Sequence, residues 1–205
     1  MELSIASLLQ FSRMVVRDPA AAMQALKAAQ LSRDAGLLIM LLAGVVSGLI
    51  KGLIDLVLPS GAMELEMGNG EVMQFMQPGA IAQGLFAAVS GLALAFAIYL
   101  VGRKMGGKGS WAEILTLIAG LQMVMVVVLV VQTMVMFVSP LFAILVLGAG
   151  LWVFFRGLGH AVNVGHEFND MGRSIGAIVM AFVGLTVALF FVATLLGLGS
   201  MGEMR

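Results

Sequence analysis

The chain has no cysteine among its 205 residues and only two histidines. Without thiols there is no disulfide framework, no thiolate nucleophile and no cysteine-based metal site. Charge is the second scarcity. Asp, Glu, Lys and Arg together make up 11% of the residues, against about 25% in a typical soluble domain. A chain so poor in charge could not cover a soluble surface. Its cations and acids balance at 11 each, so a nucleic-acid partner finds no electrostatic support. The start, Met1-Glu2-Leu3-Ser4, lacks a basic segment followed by a cleavage site, so no cleaved signal peptide is read there.

What fills the chain is apolar: 61% of residues are hydrophobic and mean hydropathy is +1.09. The expected fold is therefore all-α, a polytopic membrane helix bundle whose partner is the lipid bilayer. A hydrocarbon core about 30 Å thick needs roughly 20 helical residues per crossing. Five runs meet that length or approach it, near 35–58, 79–101, 112–138, 141–159 and 174–198. They divide the chain into a lead-in, 1–34, and a five-span membrane domain, 35–199.

In the lead-in, Ile5, Leu8, Leu9, Ser12 and Val15 recur at helical spacing, which predicts an amphipathic stretch on the membrane surface. Asp18 then suits a helix N-cap and Pro19 the first helical position, predicting a second short helix to about Gln30. In the first span Gly44, Gly48 and Gly52 lie four apart, which puts them on one face and lets another backbone approach closely. That face is expected to seat a neighbouring span, or else another membrane protein or a second copy. Residues 59–78 are read as a hydrophilic connection. Ser139-Pro140 marks a reversal between the third and fourth spans, and Trp152, Phe154 and Phe155 are expected near the next interface. Residues 156–173 are read as a polar loop.

The cations set the orientation. Arg13, Arg17, Lys27, Arg33, Arg103, Lys104, Lys108, Arg156 and Arg173 fall on one side of a five-span arrangement, and Lys51 and Arg205 on the other. Such a bias predicts a cytoplasmic N-terminus and an outside C-terminus, with the bacterial cytoplasmic (inner) membrane as the location.

Three constellations invite chemical readings. Gly102-Arg103-Lys104-Met105-Gly106-Gly107-Lys108-Gly109 nearly spells the phosphate-binding G-x-x-x-x-G-K-[ST] loop, but Gly109 stands where the hydroxyl belongs. That loop must also follow a buried strand, and here it joins two membrane spans. A basic turn that fixes topology and touches anionic lipid is the expectation. His166-Glu167-Phe168-Asn169-Asp170 misses the H-E-x-x-H zinc signature, because Asp170 replaces the second imidazole. With His160 it forms a polar cluster of capping and salt-bridging groups. Finally, Lys51 and Asp55 stand four apart near the outer end of the first span, where an interfacial ion pair is expected. With Gln122, Gln132 and Thr133 of the third span they could instead line a transport path. No complete catalytic set is present, so neither an enzymatic activity, a metal nor a cofactor is expected. Lys51, Asp55, Gln122, His160, His166, Glu167 and Asp170 remain the candidate functional polar residues.

Several local features converge on one resemblance. Asp18-Pro19 precedes the first span, and the second connection on the cationic side reads Gly106-Gly107-Lys108-Gly109-Ser110-Trp111-Ala112-Glu113-Ile114. Gly150-Leu151-Trp152 leads into Gly157-Leu158-Gly159-His160. Over residues 14–198 the chain resembles the YIP (Ypt/Rab-interacting protein) domain family, in its bacterial branch. The resemblance implies a five-span membrane protein that is not an enzyme. Eukaryotic members are implicated in vesicle trafficking and bind Rab-type GTPases through a cytoplasmic region, which the short segment before the first span is too small to supply. The expected function is membrane organisation or partner binding, with a small transporter or permease subunit as the alternative.

Overall fold

The computed structural model describes residues 4–57, 63–66, 72–75 and 78–195. Two short helices lead, α1 (Ile5–Arg17) and α2 (Pro19–Ala28). Five long ones follow: α3 (Arg33–Val57), α4 (Ala80–Lys104), α5 (Trp111–Val138), α6 (Pro140–His166) and α7 (Met171–Leu195). All five are long and apolar enough to cross a membrane. The fold is all-α. The one addition is a small hairpin between α3 and α4, where β1 (Met63–Glu66) pairs antiparallel with β2 (Val72–Phe75). The sequence reading had only a hydrophilic connection there. Arg205 lies outside the described residues.

Helix ends follow side-chain chemistry. Asp18 accepts the backbone N–H of Ala21 at 3.0 Å and Pro19 opens α2, which satisfies one of the donors that a helix start leaves free. Ser110 and Glu113 form a reciprocal capping box at the start of α5: Ser110 Oγ accepts the Glu113 N–H at 3.2 Å, and Glu113 Oε2 accepts the Ser110 N–H at 2.7 Å. Pro140 opens α6 immediately after α5 ends.

The hub is α5. Half of its most apolar window is buried inside the bundle, against 17–28% in the other four spans. Every residue from Ile114 to Leu121 is buried, as expected of a helix apolar all round. It packs against α3, α4 and α6, and against α1 and α2; α7 packs on α4 and α6 and does not reach α5. Between α3 and α4 the contact is backbone to backbone. A Cβ on Gly44 would come 2.7 Å from the Gly84 carbonyl, and one on Gly48 would come 2.7 Å from the Ala80 carbonyl. The Gly44/Gly48 face is thus occupied by α4 of the same chain, and a second copy could use it only by displacing that helix.

Two readings gain detail or change. First, the lead-in helices pack into the bundle. Phe11, Val15, Ala22, Met23 and Leu26 are buried in the common core, with Phe11 and Leu26 against Gly120 and Val15 against Gly157. Each of those glycines lies nine residues, about 14 Å, inside the end of its own span. Second, the segment read as a loop from 156 is helical as far as His166. Its small and apolar residues, Gly157, Leu158, Gly159, Ala161, Val162 and Gly165, are buried, so tertiary packing carries the helix past its polar positions. Trp152 lies about 21 Å along the axis from the end of α6. It receives the Arg156 guanidinium over its ring at 5.0 Å, while Arg156 Nη1 donates to the Val16 carbonyl at 2.8 Å. That arginine ties α1 to α6.

Candidate functional site

The end of the bundle that carries Arg103, Lys104 and Lys108 is the built one. Glu167 leaves α6 in the left-handed conformation, φ 56°, and turns the chain toward α7. Just before it, His166 is fully buried and stacks on Phe168 with ring centroids 5.3 Å apart. Its Nε2 lies 3.2 Å from the Ile98 carbonyl. A carbonyl only accepts, so Nε2 carries a proton; Nδ1 is buried and finds no partner among the described residues.

The glycines of the basic turn make room for that ring. A Cβ at Gly102 or Gly107 would overlap the imidazole, and one at Gly109 would come 2.5 Å from the Gly165 carbonyl. Gly106 takes φ 87°, a conformation that costs glycine little. The turn's amides are used internally. Gly106 N–H donates to Arg103, Gly107 N–H to Gly102 and Lys108 N–H to His166. They do not converge on a ligand, which removes the phosphate-cradle reading on geometric grounds. The turn is a sleeve around His166.

Lys27 of α2 forms the second knot. Its Nζ donates to Glu167 Oε1 at 2.8 Å and to the Val164 carbonyl at 3.2 Å, and stands 3.7 Å from Glu113 Oε1. One ammonium thus joins the lead-in, the capping residue of α5 and the turn after α6. Glu167 lies outside the spans; the hydrogen bond from Lys27, then its charge, holds the carboxyl below the usual glutamate range. Grooves of about 500 Å³ and about 390 Å³ flank Lys27. The first is lined by α2 and the residues just after it, the start of α5 and Val164 of α6, the second by α2, α6 and the turn that follows it.

The seven candidate residues part company. His160, Glu167 and Lys27 share the second groove, whereas His166 is walled off by the glycine turn. Asp170 caps the start of α7: its Oδ1 accepts the Gly172 N–H at 2.8 Å, and Oδ2 faces Arg173 Nε at 3.8 Å. Lys51 and Asp55 pair with each other near the other end of α3, about 27 Å from Arg33. Gln122 is half-buried in the middle of α5, against Gly91 of α4. Among the described residues no three of His, Asp and Glu come together as metal ligands. Sequence named Lys27 among the cations and Glu113 and the three glycines within the basic turn and its family motif, but assigned none of them these contacts. The signals available were a lone cation on an alanine-rich helix and Ser-x-x-Glu before an apolar run.

Compared with known families, the chain matches the Yip1 domain over residues 13–195. No curated protein and no solved structure matches the chain.

Proposed function

The chain belongs to the Yip1 domain family, and on that premise we propose a membrane protein without chemistry of its own, which organises membrane or protein partners through its basic end. The observation that carries this reading is the concentration of construction at that end. The α1–α2 lead-in, the α4–α5 turn and the α6–α7 turn are drawn together by Lys27 and by the glycine sleeve around His166. Arg103, Lys104 and Lys108 remain exposed around them, available to anionic headgroups or to acidic surfaces on a partner. In this reading the basic end faces the cytoplasm of a bacterial inner membrane, and the Lys51–Asp55 pair is an interfacial tie that carries no cargo.

In-membrane photocrosslinking tests it. A photoreactive residue at Arg103, Lys108 or Arg173 should give defined adducts with specific proteins or lipids, and one at Leu141 or Phe190 should give only bulk lipid. Uniform labelling at both ends would count against the proposal. The transport alternative is tested with the same purified chain. If reconstituted protein moved a solute and the Lys51→Ala/Asp55→Ala variant did not, the organising role would be lost.

A further inference from the structure

We propose that the groove between α2 and α6 is a headgroup site for a zwitterionic aminophospholipid, binding the phosphodiester inside and the ammonium at the mouth. The groove holds about 390 Å³, within the roughly 300–1,000 Å³ of small-molecule sites. It runs beside α6 from His160 to Glu167, seven residues or about 10 Å along the axis. In the proposed orientation that run lies at the cytoplasmic end of α6, on the side of the headgroup layer.

Its polar side chains include several donors that the described residues leave unengaged. Asn163 Oδ1 already accepts the Asp170 N–H at 3.3 Å, which leaves both amide hydrogens free to donate. Gln24 and His160 make no hydrogen bond to the described residues and line the groove. Lys27 gives two of its three N–H bonds to Val164 and Glu167, while the third faces only Glu113 at 3.7 Å. Four donor side chains around one cleft suit the acceptor oxygens of a phosphodiester. One carboxylate, Glu167, half exposed at the mouth, suits a primary ammonium. Lys27 and Glu167 bring opposite formal charges, so the site matches a ligand with no net charge. The basic turn, by contrast, suits net-anionic lipid.

The test is native mass spectrometry of the full chain, released from detergent with phosphatidylethanolamine, phosphatidylcholine or phosphatidylglycerol of identical acyl chains. The phosphatidylethanolamine adduct should exceed the other two by about tenfold, the worth of one or two retained hydrogen bonds. Asn163→Asp keeps an acceptor for the Asp170 N–H but sets a negative charge against the phosphate, and it should remove most of that preference. Lys104→Gln/Lys108→Gln should lower phosphatidylglycerol adducts and leave phosphatidylethanolamine unchanged. If Asn163→Asp alters the melting curve, Gln24→Leu takes its place, since that side chain is exposed and makes no hydrogen bond to the described residues. Equal retention of the three lipids by the unmodified chain overturns the proposal. So does undiminished phosphatidylethanolamine on the folded Asn163→Asp variant or on Gln24→Leu.

Discussion

The imidazole of His166 occupies the space that a Cβ on Gly102 would fill, and from there its Nε2 reaches the Ile98 carbonyl one turn earlier on α4. A single missing methyl therefore lets the end of α6 dock on the end of α4. Gly102→Ala should destabilise the protein by about 1–3 kcal/mol through overpacking, because the ring has no room to retreat. At about 2–4 °C per kcal/mol for a chain of this size, the thermal midpoint in detergent should fall measurably. His166→Ala removes both the clash and the bond. The double variant should then fall short of the summed single losses by about 0.5–3 kcal/mol. Strict additivity would show that the two residues do not meet.

The Gly44 contact predicts a larger geometric failure. A Cβ there would lie 2.7 Å from the Gly84 carbonyl and 2.8 Å from the Ala88 Cβ, and neither backbone nor Cβ can rotate away. Gly44→Val should force α3 off α4 and lower the midpoint more than Gly52→Val, whose nearest neighbour is the Ala80 Cβ at 3.3 Å. A Gly44→Val variant as stable as the unmodified chain would refute the close packing.

Length and apolarity made the five spans legible, and local chemistry made the α2 start legible: Asp18-Pro19 caps and opens that helix as its sequence predicts. Glycines four apart on α3 likewise foretold a close backbone neighbour. The basic end was far less readable. Lys27 meets Glu167 across 140 residues and His166 meets Ile98 across 68, and no local spacing encodes such pairs. The end of α6 misled for a related reason. Arg156, His160 and His166 look like loop residues in sequence, but the small side chains between them are buried and keep the helix going. The lead-in's amphipathic pattern suited a membrane surface equally well, and only the three-dimensional match to Gly120 and Gly157 sends it into the bundle.

The proposed orientation rests on the cation bias and can be tested directly. A reporter active only outside the cytoplasm should be silent when inserted at Gly106, in the basic turn, and active when fused after Arg205. The opposite pattern would reverse the proposed placement of the basic end. Activity at both positions would break the five-span alternation itself.

The Lys27–Glu167 pair predicts an acid-side loss of stability. Lys27 holds the Glu167 carboxyl below its ordinary range in the folded protein. A group with a depressed folded pKa contributes stability above its unfolded value, about 4.3 for glutamate. That contribution fades as pH falls through the folded value, because the unfolded chain then takes up the proton first. The thermal midpoint should therefore be level from neutral pH down to about 5 and decline below it. Glu167→Gln should lose this component and give a flatter acid limb. Lys27→Met should flatten it too, and should also lower the neutral-pH midpoint, since the Val164 carbonyl and Glu113 lose the same ammonium. Ionic strength separates this from general charge repulsion: the pair lies at the surface, so added salt should weaken the pH-dependent component. An acid limb unchanged in both variants would mean that Lys27 contributes packing alone.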